Sequence, residues 1–314
     1  MKTAVIFLII LMIGGYAMES ELEKKGEPLP DFDALWDFQH PEQTETKFQE
    51  LIPQAKESGN MSYYAQLLTQ IGRTRGLQGK YQDAHAMLDS VEAMLTDELT
   101  VAKIRYLLER GRVYNSSGEP DKCKPFFLEA WELALTKNED YYAVDAAHML
   151  GIVEPPEKQL EWSLKALELA EKTTDERAQR WLGPLYNNIG WTYHDLKEYE
   201  KALELFKKGL AWRKEIDDAR GIRIQTWNIA RTYRSLGKVT EALEMQRALE
   251  KEIEGIEFDF EGYVFEEIAE CMLLLKKNEE AKPYFKRAHE VLSKDQWLAK
   301  NEPERLERLK DLSE

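Results

Sequence analysis

The stretch NNIGWTYHDLKEYEKALELF (187–206) decides the fold of this chain. Small and bulky residues recur in it at helical spacing: Gly190 is followed by Tyr193, and Ala202 by Phe206. A small residue lets two helices approach closely, and a bulky residue one turn later fills the space beside it. The stretch therefore predicts two helices that are joined by a short turn and packed against each other.

The same pattern returns along the chain, so the helices form a repeat. A small residue marks each first helix, and most second helices carry another small residue before a bulky one. The copies cover residues 67–95, 106–135, 141–172, 185–212, 226–253 and 265–292, the third being the weakest. Their spacing gives a period of about 40 residues.

This pattern resembles the tetratricopeptide repeat, and the long period is similar to that of kinesin light chains. The small first-helix residues that carry the resemblance are Gly72, Gly111, Gly190, Ala230 and Ala269. The resemblance implies an all-α fold, a right-handed α-solenoid of about six helix–turn–helix repeats with a capping helix at each end. The segments AHMLGIVEPPEKQLEW (147–162) and GPLYNNIGWTYHDL (183–196) also resemble a group of bacterial tetratricopeptide-repeat proteins without a settled activity.

The sequence around the repeats divides the chain into five parts. We expect a flexible leader over 18–33, which is rich in Glu and Pro, and a capping-helix region over 34–64. The repeat array is expected over 65–294. A C-terminal capping helix is expected over 295–314, where Pro303 fits a first helical turn.

The first 17 residues have the pattern of a secretory signal peptide. One Lys precedes a short apolar run, and small residues two apart, Gly15 and Ala17, follow it. Cleavage would give a periplasmic or secreted protein that is not embedded in a membrane. The alternative is an uncleaved N-terminal anchor, although the run is short for a bilayer span.

Composition excludes several classes of function. The net charge of −15 disfavours nucleic-acid binding, which requires clustered Lys and Arg. Two cysteines cannot form a disulfide framework, and no Cys/His cluster predicts a metal site. Phosphate-loop, HExxH, GxSxG and GxGxxG motifs are absent from the sequence. We therefore expect no cofactor and no enzymatic activity.

The first helices of stacked repeats line a concave surface, so residues at matching places form rows along it. Asn188 and Asn228 share one row; in similar tetratricopeptide domains, asparagines at this place hold extended peptide backbones. A carboxamide donates and accepts hydrogen bonds, which suits recognition of a peptide group. Trp and Arg residues beside them would supply apolar contact and carboxylate binding. The predicted peptide-binding residues are Asn187, Asn188, Trp191, His194, Trp227, Asn228, Arg231, Arg234, Arg112 and His148.

These residues favour a non-enzymatic scaffold that binds an unidentified peptide or protein in its groove. The groove alternates acidic and basic positions, so a peptide of mixed charge would match better than a polyanion. Two alternatives remain open: a self-assembling structural module, which would be a homo-oligomer, or an enzyme with an unrecognised site between repeats. If the groove binds no ligand, the polar residues of these rows only keep the concave face hydrated, and the tryptophans pack between repeats.

Overall fold

The computed structural model describes residues 28–314, and within that range the chain is helical and contains no strand. A short 3-10 helix at Phe32–Leu35 precedes the α-helices. The α-helices are α1 (Pro41–Glu57), α2 (Met61–Leu77), α3 (Tyr81–Glu92), α4 (Thr100–Ser116), α5 (Pro120–Thr136), α6 (Asp140–Val153), α7 (Pro156–Lys172), α8 (Glu176–Gln179), α9 (Leu182–Asp195), α10 (Tyr199–Glu215), α11 (Ala219–Ser235), α12 (Val239–Ile253), α13 (Glu261–Leu274), α14 (Asn278–Leu292), α15 (Gln296–Asn301) and α16 (Pro303–Ser313).

Six antiparallel helix pairs form the array, and they coincide with the six predicted copies. The pairs are α2–α3, α4–α5, α6–α7, α9–α10, α11–α12 and α13–α14. The second helix of each pair also packs on the first helix of the next, which joins the pairs into a solenoid. The predicted helical-repeat solenoid is confirmed.

Close approach within a pair depends on the small first-helix residue. A Cβ atom at Gly111 would lie 2.6 Å from Cε1 of Phe127, and Gly190 faces Phe206 in the same way. Both phenylalanines are fully buried. A side chain larger than hydrogen therefore does not fit between the helices of these two repeats without displacing the ring.

The turn between the two helices of a repeat passes through left-handed backbone. Gly79, Gly118 and Gly237 have φ between 73° and 82° there, a conformation that glycine adopts readily at the end of a helix. In the fourth and sixth repeats the corresponding residues are Lys197 and Lys276, with φ of 61° and 59°. The left-handed conformation of these lysines is higher in free energy for a residue with a Cβ atom than for glycine.

Helices cover both ends of the array. At the N-terminal end α1 packs on α2, and Phe48 of α1 is fully buried. At the C-terminal end α16 packs on α14 and buries Leu306 and Leu309. The C-terminal part contains two helices, α15 and α16, where the sequence predicts one.

The expectation of a flexible leader over 18–33 is wrong for its last residues. Phe32 is buried between Phe48 and Tyr63, and the Tyr63 hydroxyl donates to the Pro30 carbonyl at 2.9 Å. Glu and Pro content predicts mobility, but the buried Phe32 ring and the hydrogen bond from Tyr63 attach the end of this segment to the first repeat. The predicted signal peptide (1–17) and residues 18–27 lie outside the described residues.

An additional short helix, α8, separates the third and fourth repeats. It contacts α6 and α7 and is followed directly by α9. Sequence periodicity did not predict it, because four residues are too few to show a helical pattern. Along residues 28–314 no helix is long and apolar enough to cross a membrane.

Candidate binding groove

The first helices of neighbouring repeats contact one another: α2 with α4, α4 with α6, α9 with α11, and α11 with α13. They form the inner surface of the solenoid, and two large cavities open on it. We call them the N-terminal cavity, of 760 Å³, and the C-terminal cleft, of 690 Å³. Both have the size of sites that bind small ligands or short peptide segments.

The C-terminal cleft is lined by α9, α11 and α13, together with residues from the α12–α13 connection and α16. Six of the ten predicted residues lie in it. Its lining residues are Asn187, Trp191, Asp195, Ile224, Trp227, Asn228, Arg231, Arg234, Phe260, Tyr263, Glu266, Glu267, Glu270, Glu302 and Arg305.

Aromatic rings form one wall of the C-terminal cleft. The Trp191 and Trp227 rings lie 5.8 Å apart, and Trp227 meets Phe260 edge to face at 5.0 Å. Phe260 stacks on Tyr263 at 4.4 Å. Trp227 is buried and its Nε1 donates to the Tyr263 carbonyl at 3.0 Å, so it also ties two repeats together. Trp191 is half-buried and leaves apolar surface for a ligand.

The asparagines form a connected chain of amides. Asn228 Nδ2 donates to Asn187 Oδ1 at 2.8 Å and to Gln225 Oε1 at 3.3 Å, and Asn187 Nδ2 donates to Asn188 Oδ1 at 3.1 Å. Asn228 is only 1% exposed, whereas Asn188 is exposed. The two residues occupy equivalent positions in neighbouring repeats but differ in exposure. Asn228 orients the amides around it, whereas Asn188 faces solvent.

A buried carboxylate organises the arginines of the cleft. Arg234 donates to both oxygens of Glu267 at 2.7 Å, and Arg231 Nε lies 2.8 Å from Glu267 Oε1. Burial raises the pKa of Glu267, and the two guanidinium groups oppose that shift. Arg231 also donates to the Ser235 hydroxyl at 2.7 Å. Both arginines are therefore held in fixed positions within the cleft.

Three predicted residues line neither cavity. Asn188 lies on the exposed surface beside the cleft. His194 is buried, with Nε2 2.9 Å from the Ser235 hydroxyl, and its burial lowers its pKa. His148 packs against Trp181, with ring centroids 4.8 Å apart. Both histidines occupy packing positions between elements, which the row pattern could not distinguish from ligand-facing positions.

The remaining predicted residue, Arg112, lies in the N-terminal cavity. It donates to Glu109 at 2.9 Å and to Asp145, and Arg73 pairs with Glu109 at 3.1 Å. Both carboxylates are almost completely buried; Oε1 of Glu109 accepts from both arginines, whereas its buried Oε2 has no hydrogen-bond partner among the described residues. The cavity is lined by Asp31, Asp33, Ala34, Trp36, Phe38, Gln70, Arg73, Arg105, Leu108, Glu109, Arg112, Tyr141, Tyr142, Asp145, Arg177, Arg180, Trp181 and Pro184.

One wall of the N-terminal cavity is the segment before α1. Asp33 accepts two hydrogen bonds from Arg105, at 2.7 and 2.5 Å. Trp36 Nε1 donates to the Gln70 carboxamide at 3.1 Å, and the Arg73 guanidinium lies 5.5 Å from the Trp36 ring. Gln70 lies two positions before Gly72, the small residue of its repeat. Asn188 and Asn228 lie two positions before the small residues of the fourth and fifth repeats. The groove row thus binds a segment of its own chain in the first repeat.

Several residues that line the two cavities are not among the predicted ones. Phe260 and Tyr263 lie in the aromatic-rich stretch FDFEGY (258–263), a signal that could have indicated them. Arg305 enters the cleft from α16, which the sequence predicts only as a capping helix. Arg177, in α8, and Arg180, directly after α8, line the N-terminal cavity. They belong to no repeated pattern, so the sequence does not indicate them. Within residues 28–314 no group of three or more His, Cys, Asp or Glu residues could hold a metal ion.

Comparison with known proteins agrees with this architecture. Residues 183–216, the fourth repeat, match the family model of the tetratricopeptide repeat. A curated relative, the outer dynein arm-docking complex subunit 4 of Danio rerio, is 32% identical over 122 residues, which are 37% of this chain and 24% of that protein. The chain thus matches about a quarter of that relative's length.

Solved structures share the fold at low sequence identity. The apo form of RapI has a TM-score of 0.68 at 18% identity, covering 84% of this chain and 75% of RapI. The sensor-bearing signal-transduction ATPase PH0952 of Pyrococcus horikoshii has a TM-score of 0.66 at 14% identity, covering 87% of this chain and 42% of that one. Aspartyl phosphate phosphatase F of Bacillus subtilis has a TM-score of 0.52 at 13% identity, covering 81% and 67%. The chain shares the helical-repeat fold of these structures, and its fourth repeat is similar to the tetratricopeptide repeat.

Proposed function

We propose that this protein is a non-enzymatic scaffold that binds an extended peptide, or an extended segment of a protein, in the groove formed by its first helices. The C-terminal cleft is the centre of the site. The observation that carries the proposal is the meeting of Asn187, Trp191, Trp227, Asn228, Arg231 and Arg234 in one cleft of 690 Å³.

The chemistry of the cleft suits peptide recognition. A rigid aromatic wall gives contact area at little entropic cost, and Trp and Arg are the residue types that dominate binding energy at interfaces. The Asn187 and Asn188 amides lie next to that wall and can pair with peptide groups whatever the ligand side chains are. Glu267 fixes the arginines in advance, so less order is lost when a ligand binds.

The first repeat supports the same function from within the molecule. There the Gln70 carboxamide and the Arg73 guanidinium already hold Trp36 of the preceding segment. Equivalent row positions in the fourth and fifth repeats are Asn188 with Trp191, and Asn228 with Arg231. A groove that binds its own chain at one end has the chemistry to bind another chain at the other end.

Obstruction of the groove tests the proposal without removing a packed side chain. We would capture partners from an extract of the source organism with the full chain, its Asn188→Trp variant and its Glu204→Trp variant. Asn188 is exposed beside the cleft, and Glu204 is exposed on the second helix of the same repeat. Both variants should keep the helicity and stability of the parent. We expect a partner that the parent and Glu204→Trp capture and Asn188→Trp loses.

A partner retained equally by both tryptophan variants would reject this groove. A partner lost only by Glu204→Trp would place recognition on the outer surface. Mass that rises with protein concentration, unaffected by either variant, would instead support self-assembly.

Three further parts of the functional account remain predictions. The absence of enzymatic activity is one, and a neighbour named as a phosphatase shares the fold. Bacterial origin and export, or an N-terminal anchor, are the others. Bacterial origin rests on the resemblance of residues 147–162 and 183–196 to bacterial proteins, and export or the anchor on residues 1–17; N-terminal sequencing of the protein from its source would test processing after Ala17.

A further inference from the structure

The N-terminal cavity and the C-terminal cleft meet on one helix. Pro184 of α9 lines the cavity, and Asn187, one turn later, lines the cleft. A ligand that follows the groove therefore passes along α9 from one cavity into the other. Arg180 lies just before this helix, and Asp195 is its last residue.

The two cavities differ in charge. The N-terminal cavity is lined by five arginines and four carboxylates, and the C-terminal cleft by three arginines and five carboxylates. Opposite potentials at the two ends of one groove orient a ligand that carries both signs of charge.

The charges at the edge of the N-terminal cavity are available to a ligand. Among residues 28–314, Arg180 is exposed and has no ion pair or side-chain hydrogen bond. Arg177 pairs with Asp175, two residues away, at 3.1 Å, and the two side chains are 53% and 27% exposed. Such a surface pair contributes about 0 to 1 kcal/mol, so a ligand carboxylate exchanges with it at little cost. Across the cavity, Asp31 caps the 3-10 helix through the Asp33 amide.

The C-terminal cleft has the opposite balance. Arg231 and Arg234 are both held by Glu267, and Arg305 lies between Glu266 and Glu302. No cation of the described lining is left unpaired.

Asp195, in contrast, is exposed, with a side-chain exposure of 81%. Within the described chain the ionisable side chain that lies within 4 Å of it is His194, at 3.9 Å, and the pKa of His194 is lowered chiefly by burial and by the nearby Arg231. His194 is thus neutral at neutral pH, and the Asp195 charge remains uncompensated. A carboxylate at the C-terminal end of a helix also opposes the helix dipole, so its place on α9 does not favour the helix itself.

We propose that the groove holds an extended peptide in one orientation, with a ligand carboxylate at Arg177 and Arg180 and a cationic side chain of the ligand at Asp195. This inference rests on the proposed function and names the chemistry of its ligand. From Leu182 to Asp195 the helix rises about 20 Å, at 1.5 Å per residue. An extended chain covers that distance in about six residues.

Synthetic peptides test this orientation directly. The probe is a nine-residue peptide with two aspartates at one end, a central tryptophan and two lysines at the other end, with serines between. A second peptide has the same composition with the charges intermixed, a third has aspartates at both ends, and a fourth has lysines at both ends. Binding of each to the full chain is measured by calorimetry at low ionic strength, where surface charges are least screened.

Two charge reversals complete the design. We expect the parent to prefer the block-charged peptide by about tenfold, an amount that two exposed charge pairs, one at each end, supply at about 0.7 kcal/mol each. Arg180→Glu should shift the preference to the peptide with lysines at both ends, and Asp195→Lys to the peptide with aspartates at both ends. Both residues are exposed, and Asp195→Lys places a favourable charge at the end of α9, so loss of folding cannot imitate the result.

Equal affinity of the parent for the block-charged and intermixed peptides, failure to bind the block-charged peptide, or unchanged preferences in both variants would overturn the proposal. The proposed function has a separate test. If a natural partner is lost by Asn188→Trp but retained by Arg180→Glu and Asp195→Lys, groove binding stands and the charge orientation fails.

Discussion

Replacement of Gly190 by alanine tests whether the close approach of two helices holds each repeat together. A Cβ atom at this position would lie 2.8 Å from Cδ1 and 2.9 Å from Cζ of Phe206, with Cε1 closer still. Phe206 is fully buried, so its ring cannot move into solvent. Overpacking of this kind costs about 1–3 kcal/mol, whereas alanine gains about 1 kcal/mol over glycine in helix propensity. The difference is a fall of about 0–2 kcal/mol in the free energy of unfolding, and the close contacts with a fully buried ring place this variant near about 2 kcal/mol.

The matched control is Gly72→Ala. Its Cβ atom would lie 3.1 Å from Cγ and 3.2 Å from Cδ2 of Leu88, a smaller and more adaptable contact. The gain in helix propensity should then offset the strain to within about 0.5 kcal/mol. Urea unfolding followed by circular dichroism measures both variants. A Gly190→Ala protein as stable as the parent, or equal losses in the two variants, would refute the packing argument.

Further predictions concern a turn, a histidine and the N-terminal segment. Lys197→Gly should stabilise the protein by a few tenths to about 1 kcal/mol, because the left-handed backbone costs lysine more than glycine; a loss of stability in thermal unfolding would contradict this. Burial lowers the pKa of His148, so the unfolded chain binds the proton more readily and stability falls as the pH drops below about 6.5. His148→Gln should therefore lose less stability than the parent between about pH 7 and 5, and identical pH profiles would contradict the assignment. Arg105→Gln removes the partner of Asp33, and charge-assisted hydrogen bonds contribute about 1.5 kcal/mol or more, so limited proteolysis near Leu35 should accelerate roughly tenfold. Unchanged cleavage there would show that Phe32 alone holds the segment.

The repeats could be predicted from sequence because their signal is periodic. Small residues such as Gly111 and Gly190 have one physical role, which the structure confirms through their contacts with Phe127 and Phe206. Left-handed turns at glycine follow from the same local chemistry. Helix pairs, their turns and the row of inward positions depend on local sequence patterns, and they could therefore be predicted.

Residues outside the periodic pattern could not be predicted. α8 is a single turn, and Arg180 beyond it is an isolated charge, so neither repeats. The fixed segment around Trp36 depends on contacts with Gln70 and Arg73, which are distant in sequence.

The row positions themselves were predictable, but their exposure was not. Asn188 is exposed, whereas Asn228 is buried because its amide is enclosed by Asn187 of the preceding repeat and by Gln225 of its own helix. His194 likewise meets Ser235 of the next first helix. Exposure at equivalent positions thus depends on the neighbouring repeat, which periodicity does not describe.

The most direct test of groove recognition is site-specific photo-crosslinking in an extract of the source organism. A photoreactive phenylalanine analogue would replace Asn188 in one protein and Glu204, on the second helix of the same repeat, in another. Groove binding predicts that the analogue at 188 crosslinks to one contiguous segment of a partner, identified by mass spectrometry, and that the analogue at 204 does not. Crosslinks to that partner only from position 204, or equally from both positions, would contradict it.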